Sequence, residues 1–570
     1  MKPETRWSLL LAPAFLLALG MGSAAGQAPA AHKSAARTAA PVSPARPKLV
    51  VLLVVDQMRA DYVDRFEQQW NGGMKRLLQE GAWFREAAYP YAATETCVGH
   101  ATISTGSLPA THGMIGNSWW DRESQKTVTC TADPGVTNTA YGAGSASVSG
   151  GDSAWRMRVP SFAEELRFQS GSGTRVVTFS LKARAAITMA GHKADSAIWF
   201  DSGSWVTSPP FGPAPFVEEF VKTHPVKSDY GKSWDLALPK SAYLYEEKAT
   251  GAAVPAGWEA GFPHALDGKT VASDQDGTFY AEWAASPFAD TYLTKMAEAA
   301  VDQLGLGARG ATDFLGVSYS SVDYIGHAYG PRSWEVQDIL ARLDRDLADL
   351  FAHLDARVGR DNYVVALSAD HGVAPILENM AKTGADTGIL YMPEVQEKIE
   401  KALEPFNYGK PAVVRAANSG VYFSPGIYER LRSDLPAMHA VLEAIRSVEG
   451  VAGVYRAEEL QDWPDTQSPI RSAEAASYFP GRSGDVLVVP KPYWLVSPLP
   501  RGQSENYGAG HGTPYAYDQR VPVMLMGWGI EPGQYYGRIS PADIAPTLAA
   551  LCGVTLASSD GRVLSEALVK

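Results

Sequence analysis

The chain has 570 residues, 45% of them hydrophobic, a formal net charge of −12 and three cysteines. Such a length buries a large core with room for insertions, and an acidic balance without any basic run excludes nucleic-acid binding as the main task. The odd set Cys97, Cys130 and Cys552, without short repeating spacing, excludes a disulfide framework, though one bridge is compatible with export.

Residues 1–30 read as a signal peptide. Lys2 and Arg6 precede the apolar run 9–19, and small residues follow at 22–26. That run is too short to span a bilayer, so no integral membrane segment is expected after signal removal. The Ala/Pro/Ser-rich stretch 31–47 reads as a flexible tether. Leu49–Val55 is then unbroken in apolar character and ends at Asp56, as a strand buried on both faces of a parallel sheet would. Residues Cys97–Thr105 suit a helix that puts Thr96 at its N-terminus, where free N–H groups and the dipole favour an anion. Thr94 falls outside that helix. No His/Asn arrangement supports Cys97 as a catalytic thiol, and Cys552 lies on an apolar helix face and reads as core.

The same strand-to-polar syntax recurs downstream. Arg175–Ser180 leads into Lys182 and Arg184, Phe314–Tyr319 into Asp323 and His327, and Tyr363–Ser368 into Asp370 and His371. His511, between Gly510 and Gly512, precedes the run Val521–Met526. Ser333 is placed to cap a helix with Val336, Leu340, Leu343, Leu347, Leu350 and Leu354 on one face. Ser540-Pro541 starts another through Ile544, Leu548 and Leu551, stopped at Gly553. The stretch 191–288 lacks a clean period, and 375–505 reads as a small α+β unit. The expected layout is therefore core at 48–190, 289–374 and 506–570, with cap insertions at 191–288 and 375–505. The fold class is α/β, a doubly wound, mostly parallel sheet with helices on both faces. In such sheets ligands bind beyond the carboxyl ends of the strands. Asp, Thr and His collected there suit an open catalytic site with two Zn2+ far better than a structural zinc, which would use cysteines. His100, His112 and His192 read as loop or core hydrogen-bonding groups.

These residues resemble the alkaline phosphatase superfamily, in the branch shared with nucleotide pyrophosphatases/phosphodiesterases. The resemblance rests on Val54-Val55-Asp56, Thr96-Cys97-Val98-Gly99-His100, Gly113-x-x-Gly116-Asn117, Asp323-Tyr324-x-Gly326-His327, Ala369-Asp370-His371-Gly372 and Gly510-His511-Gly512. It implies one zinc on Asp323, His327 and His511, and another on Asp56, Asp370, His371 and the nucleophile Thr96. Thr96 fits the family position better than Thr94, Thr102 or Ser104. Lys182 and Arg184, two apart just past a strand, are expected on one side and able to reach one anion. With Asn117, such a pair marks the threonine-dependent phosphatases of the branch. The expectation is an exported, periplasmic or secreted alkaline phosphatase acting on small-molecule phosphate esters and releasing phosphate through a phosphothreonine. A phosphodiesterase or nucleotide pyrophosphatase with the same metals is the alternative, and a binding protein without turnover is a third reading.

Overall fold

The computed structural model describes residues 46–569 apart from 143–147, 149, 172, 270–274, 462–467 and 504–507. The expected signal peptide, and the tether up to residue 45, lie outside the described residues. Ten strands form one sheet. From one edge they run Gly533–Ile539, Gly81–Ala87, Val523–Gly527, Tyr363–Ser368 and Leu49–Val55, then Asp313–Tyr319, Val176–Ser180, Ser196–Asp201, Ser204–Thr207 and Thr139–Ala140. The five from Tyr363–Ser368 to Ser196–Asp201 are mutually parallel. Val523–Gly527 runs against them.

The central strand explains its own sequence. All seven residues of Leu49–Val55 are buried. Leu49, Val51, Leu53 and Val55 enter one core, and Val50, Leu52 and Val54 enter the other. Helices Pro287–Leu304 and Trp334–Arg357 cover the first face. Thr96–Thr105, Phe162–Ser170, Ala183–Ala190 and Ile544–Cys552 cover the second. The fold is a doubly wound α/β sheet. Ser333 accepts from the Val336 N–H and caps the long helix as its sequence implies, and Gly553 ends the last one in the left-handed region.

One expected boundary moves. Ser196–Asp201 and Ser204–Thr207 extend the large sheet, so the insertion expected from 191 cannot begin before Thr207. Its aromatic residues build no separate core either: Trp234, Trp258, Phe279 and Trp283 pack into the first face's core. The later stretch is different. There Val413–Ala417, Gly420–Phe423, Val486–Pro490 and Val451–Arg456 form an antiparallel sheet in that order. With helices Met392–Leu403 and Leu435–Arg446 they enclose a core of their own. Among the described residues no helix is long and apolar enough to cross a membrane.

Leu347 is fully buried where the long helix meets Gly73 of the helix Gly73–Glu80. Leu347→Ala should cost about 2–5 kcal/mol of stability, read as a lowered denaturation midpoint at unchanged slope.

Candidate two-metal active site

The parallel strands deliver their polar residues to one edge. Asp56 follows Leu49–Val55 directly, and Asp370-His371 follow Tyr363–Ser368 after one alanine. Asp323 and His327 lie one turn apart on the helix Ser321–Tyr329, just past Asp313–Tyr319. His511 reaches the same edge from the opposite direction, because the antiparallel strand starts there: Val523 pairs with Ser368, the last residue of its neighbour.

Two groups of ligand atoms result, each within 4.8 Å of one another: Asp56, Asp370 and His371, and Asp323, His371 and His511. His371 thus belongs to both, whereas the resemblance assigned it to one. Its ring stacks on that of His511 with centroids 3.6 Å apart, and this packing places it between the groups. His327 joins through Asp323, with Nε2 at 3.2 Å from Oδ1.

The three imidazoles are oriented alike. Nδ1 of His371 donates to the Gly372 carbonyl at 2.9 Å, that of His327 to Ala509 at 2.9 Å and that of His511 to Thr94 at 2.7 Å. A carbonyl accepts only, so Nδ1 carries the proton and Nε2 keeps its lone pair for the site, as metal-ligating histidines are held. Burial pushes the His371 and His511 imidazoles below their ordinary range, which keeps both neutral. His371 Nε2, Asp56 Oδ1 and Asp370 Oδ2 are buried without a hydrogen bond. Unsatisfied acceptors of this kind, converging on one place, fit divalent cations.

Charge says the same. Burial, and then Asp323 and Asp370, push the Asp56 carboxyl well above its usual range. Burial acts likewise on Asp323, but Lys182, His327 and His511 outweigh it and hold that carboxyl well below the range. Asp370 is also held low, against burial, by His371 and His100. Among the described residues one buried ammonium answers these carboxylates. Lys182 Nζ donates to Asp56 Oδ2 at 2.6 Å and to Asp323 Oδ2 at 2.5 Å.

Lys182 and Arg184 stay close to each other: both act electrostatically on Tyr324, and Arg184 also acts on Lys182. Strand alternation ends at Ser180; Lys182 is the N-cap of helix Ala183–Ala190, and Arg184 is already helical. Arg184 interacts electrostatically with Glu95 and Tyr324, and its Nε is buried without a hydrogen bond.

Thr96 is the first residue of the helix Thr96–Thr105, which packs against Asp370 through Gly99 and His100. Asn117 Oδ1 accepts from the Cys97 N–H at 2.9 Å, and the Asn117 N–H donates to Glu95 Oε2 at 2.6 Å. Cys97 is bonded to Cys130, whose N–H donates to the Asn117 carbonyl at 3.0 Å. Cys97 is therefore a brace, and Cys552 is buried and free. His100 bonds Thr96 O through Nδ1 and Ser318 Oγ through Nε2, which ties the helix Thr96–Thr105 to the sheet. His112 and His192 make hydrogen bonds away from both ligand groups, to Thr102 and to Glu164.

Sequence reasoning missed Gln57 and Glu95. Gln57 Nε2 donates to Asp323 Oδ1 at 2.6 Å and its N–H to Asp370 Oδ1 at 3.1 Å, so one residue links both groups. It sits at φ 67°, a conformation non-glycine residues avoid. Its only signal was adjacency to Asp56; that of Glu95 was adjacency to Thr96. Gly326 now has a reason, since a Cβ there would meet Gln57 Oε1 at 1.7 Å.

A doubly wound sheet that gathers carboxylate and imidazole ligands around a helix N-terminus bearing a hydroxyl defines a hydrolytic phosphoesterase. The chain belongs to the type I phosphodiesterase / nucleotide pyrophosphatase family, whose model matches residues 50–513. It is 32% identical to alkaline phosphatase PafA of Elizabethkingia meningoseptica over 544 residues, 92% of this chain and 95% of that one. Alkaline phosphatase PhoV of Synechococcus elongatus is also 32% identical, over 93% of this chain and 94% of its own. A crystal structure of a PafA variant, with a Thr, an Asn, a Lys and an Arg substituted, matches with a TM-score of 0.82 at 31% identity. That match covers 92% of this chain and 99% of the other.

Gly326→Ala should displace Gln57 and loosen both ligand groups. The expected outcome is a stability loss of about 1–3 kcal/mol in thermal unfolding. Bound divalent metal, read by elemental analysis, should fall with it.

Proposed function

We propose that the protein is an exported alkaline phosphatase that hydrolyses phosphate monoesters through a phosphothreonine on Thr96. The observation that carries the reading is the convergence of buried acceptors that make no hydrogen bond, Asp56 Oδ1, Asp370 Oδ2 and His371 Nε2, near the helix that begins at Thr96, whose His100 stands 3.2 Å from Asp370 Oδ2. Asp323, His327 and His511 would hold one metal ion, and Asp56, Asp370, His371 and Thr96 the other. The oxygen and imidazole donor set suits two Zn2+. Bound there, the ions would favour ionisation of the threonine hydroxyl and of water, and stabilise charge on the departing oxygen.

The chain's own groups do the rest. Thr96 Oγ attacks phosphorus in line with the ester oxygen, which leaves with the alcohol, and water then cleaves the phosphothreonine. The positive end of the helix and the N–H groups of its first turn favour the phosphoryl oxygens. Asn117 spends its Oδ1 on the Cys97 N–H, so the amide's Nδ2 end is the one left to donate to substrate. Lys182 bonds the carboxylates of Asp56 and Asp323; with metal on those oxygens its ammonium serves the phosphoryl group, together with Arg184. A monoester brings two charges and profits from both cations. The substituted PafA variant supports this assignment: its four changed residue types follow the order Thr96, Asn117, Lys182, Arg184, with the same separation within each pair. The small α+β unit within 375–505 would act as a cap on the substrate side, and the basic-then-apolar N-terminus supports export to the periplasm or beyond.

The test is kcat/KM of zinc-loaded protein for p-nitrophenyl phosphate against bis-p-nitrophenyl phosphate. Wild type should prefer the monoester, and Lys182→Ala or Arg184→Ala should lower monoester turnover by about 10–1,000-fold while sparing the diester. Thr96→Ala should retain both metal ions but lose at least about a thousandfold in kcat. A diester preference in wild type would replace this reading with a phosphodiesterase.

A further inference from the structure

We propose that the cavity between the segment ahead of Thr96 and the small antiparallel sheet is a leaving-group subsite, and that Glu474 selects phosphate esters of amino alcohols there. The proposal rests on the phosphomonoesterase reading and names its substrate class.

The cavity, about 60 Å³, is lined by Glu95 and Gly512, the chain neighbours of Thr96 and His511, and by Trp119, Asn418, Tyr422 and Glu474. Glu474 lies on the helix Pro469–Ser477. That helix is fixed to the segment ahead of Thr96: the Ala92 N–H donates to Ser477 Oγ at 2.9 Å and to the Ala473 carbonyl at 3.1 Å. The carboxyl therefore stands at a set position relative to the nucleophile. Glu474 is 3% exposed, and among the described residues no hydrogen bond or ion pair reaches its carboxyl. A buried carboxyl left without a partner is costly, and it is tolerated where a ligand supplies the partner.

No lysine or arginine lines the cavity. The nearest guanidinium groups are engaged elsewhere. Arg156 and Arg482 stand over the Trp119 ring at 5.8 and 5.3 Å, and Arg122 over Tyr422 at 5.0 Å while bonded to Asp485. Glu95 is occupied by the Asn117 N–H and feels Arg184. Trp119 and Tyr422 thus act as apolar walls, and Glu474 is the one unanswered charge. Burial alone pushes it up to about 8, so in alkaline solution it is a carboxylate. A short carbon chain ending in an ammonium matches walls, volume and charge through a charge-assisted hydrogen bond. A leaving group bearing its own carboxylate would meet repulsion in a desolvated space.

The experiment compares phosphoethanolamine, 3-phosphoglycerate and methyl phosphate as substrates of the zinc-loaded protein at about pH 9, above the Glu474 value. Wild type should favour phosphoethanolamine over 3-phosphoglycerate by about tenfold or more in kcat/KM. Glu474→Gln should bring that ratio close to one while methyl phosphate turnover stays within about twofold. A flat ratio in wild type, or an unchanged ratio in Glu474→Gln, overturns the proposal. If the variant does not fold, the wild-type ratio decides alone. Methyl phosphate turnover with a flat ratio sinks only the subsite; no turnover of any ester sinks the phosphatase reading and the subsite with it.

Discussion

Mutual repulsion among Asp56, Asp323 and Asp370 is the constraint from which the rest of the site follows. Three carboxyls buried within one cluster repel strongly where the dielectric is low, and their hydration is lost as well. One ammonium, Lys182, cannot balance them, and the opposite displacements of Asp56 and Asp370 record the imbalance. The cluster persists because rigid strands with fully buried sequences force it into being. The stability of the two cores is what holds the carboxyls in place against their own repulsion.

Precision at Thr96 comes from a second layer of restraints. Asn117 and Glu95 answer each other across the helix start, the Cys97–Cys130 bond ties that start to the hairpin following Asn117, and His100 anchors it to Ser318. Gly99 allows the closest approach: a Cβ there would fall 2.1 Å from the Asp370 carbonyl oxygen. The helix of Thr96 and the backbone of Asp370 are therefore positioned by direct packing, with little room for relative motion.

How much of this was legible in the sequence depends on what kind of signal each part leaves. Parallel strands buried on both faces are continuous apolar runs, so Leu49–Val55 and Tyr363–Ser368 announced themselves, and the polar residue ending each run marked the ligand edge. Strands toward the sheet's end carry no such run. Ser196–Asp201 and Ser204–Thr207 were absorbed into an aromatic-rich stretch, and the first insertion was begun too early. Gln57, Glu95 and the Cys97–Cys130 pairing depend on which atoms meet in space. Neighbouring residues 56 and 57 look alike to a pattern but do opposite things, one offering lone pairs and the other donating hydrogens.

The antiparallel strand Val523–Gly527 has a consequence for the order in which the molecule can be completed. Ligands begin at Asp56 and end at His511, which the chain supplies from its last 60 residues, just ahead of a strand that inserts between Gly81–Ala87 and Tyr363–Ser368. A chain emerging from its N-terminus can form the parallel strands and collect six of the seven candidate ligands early, Thr96 included. It cannot finish the candidate site or insert the antiparallel strand until residues 511–527 have been made. Any shortened product ending before residue 511 is thus left with an open sheet edge and an incomplete cluster.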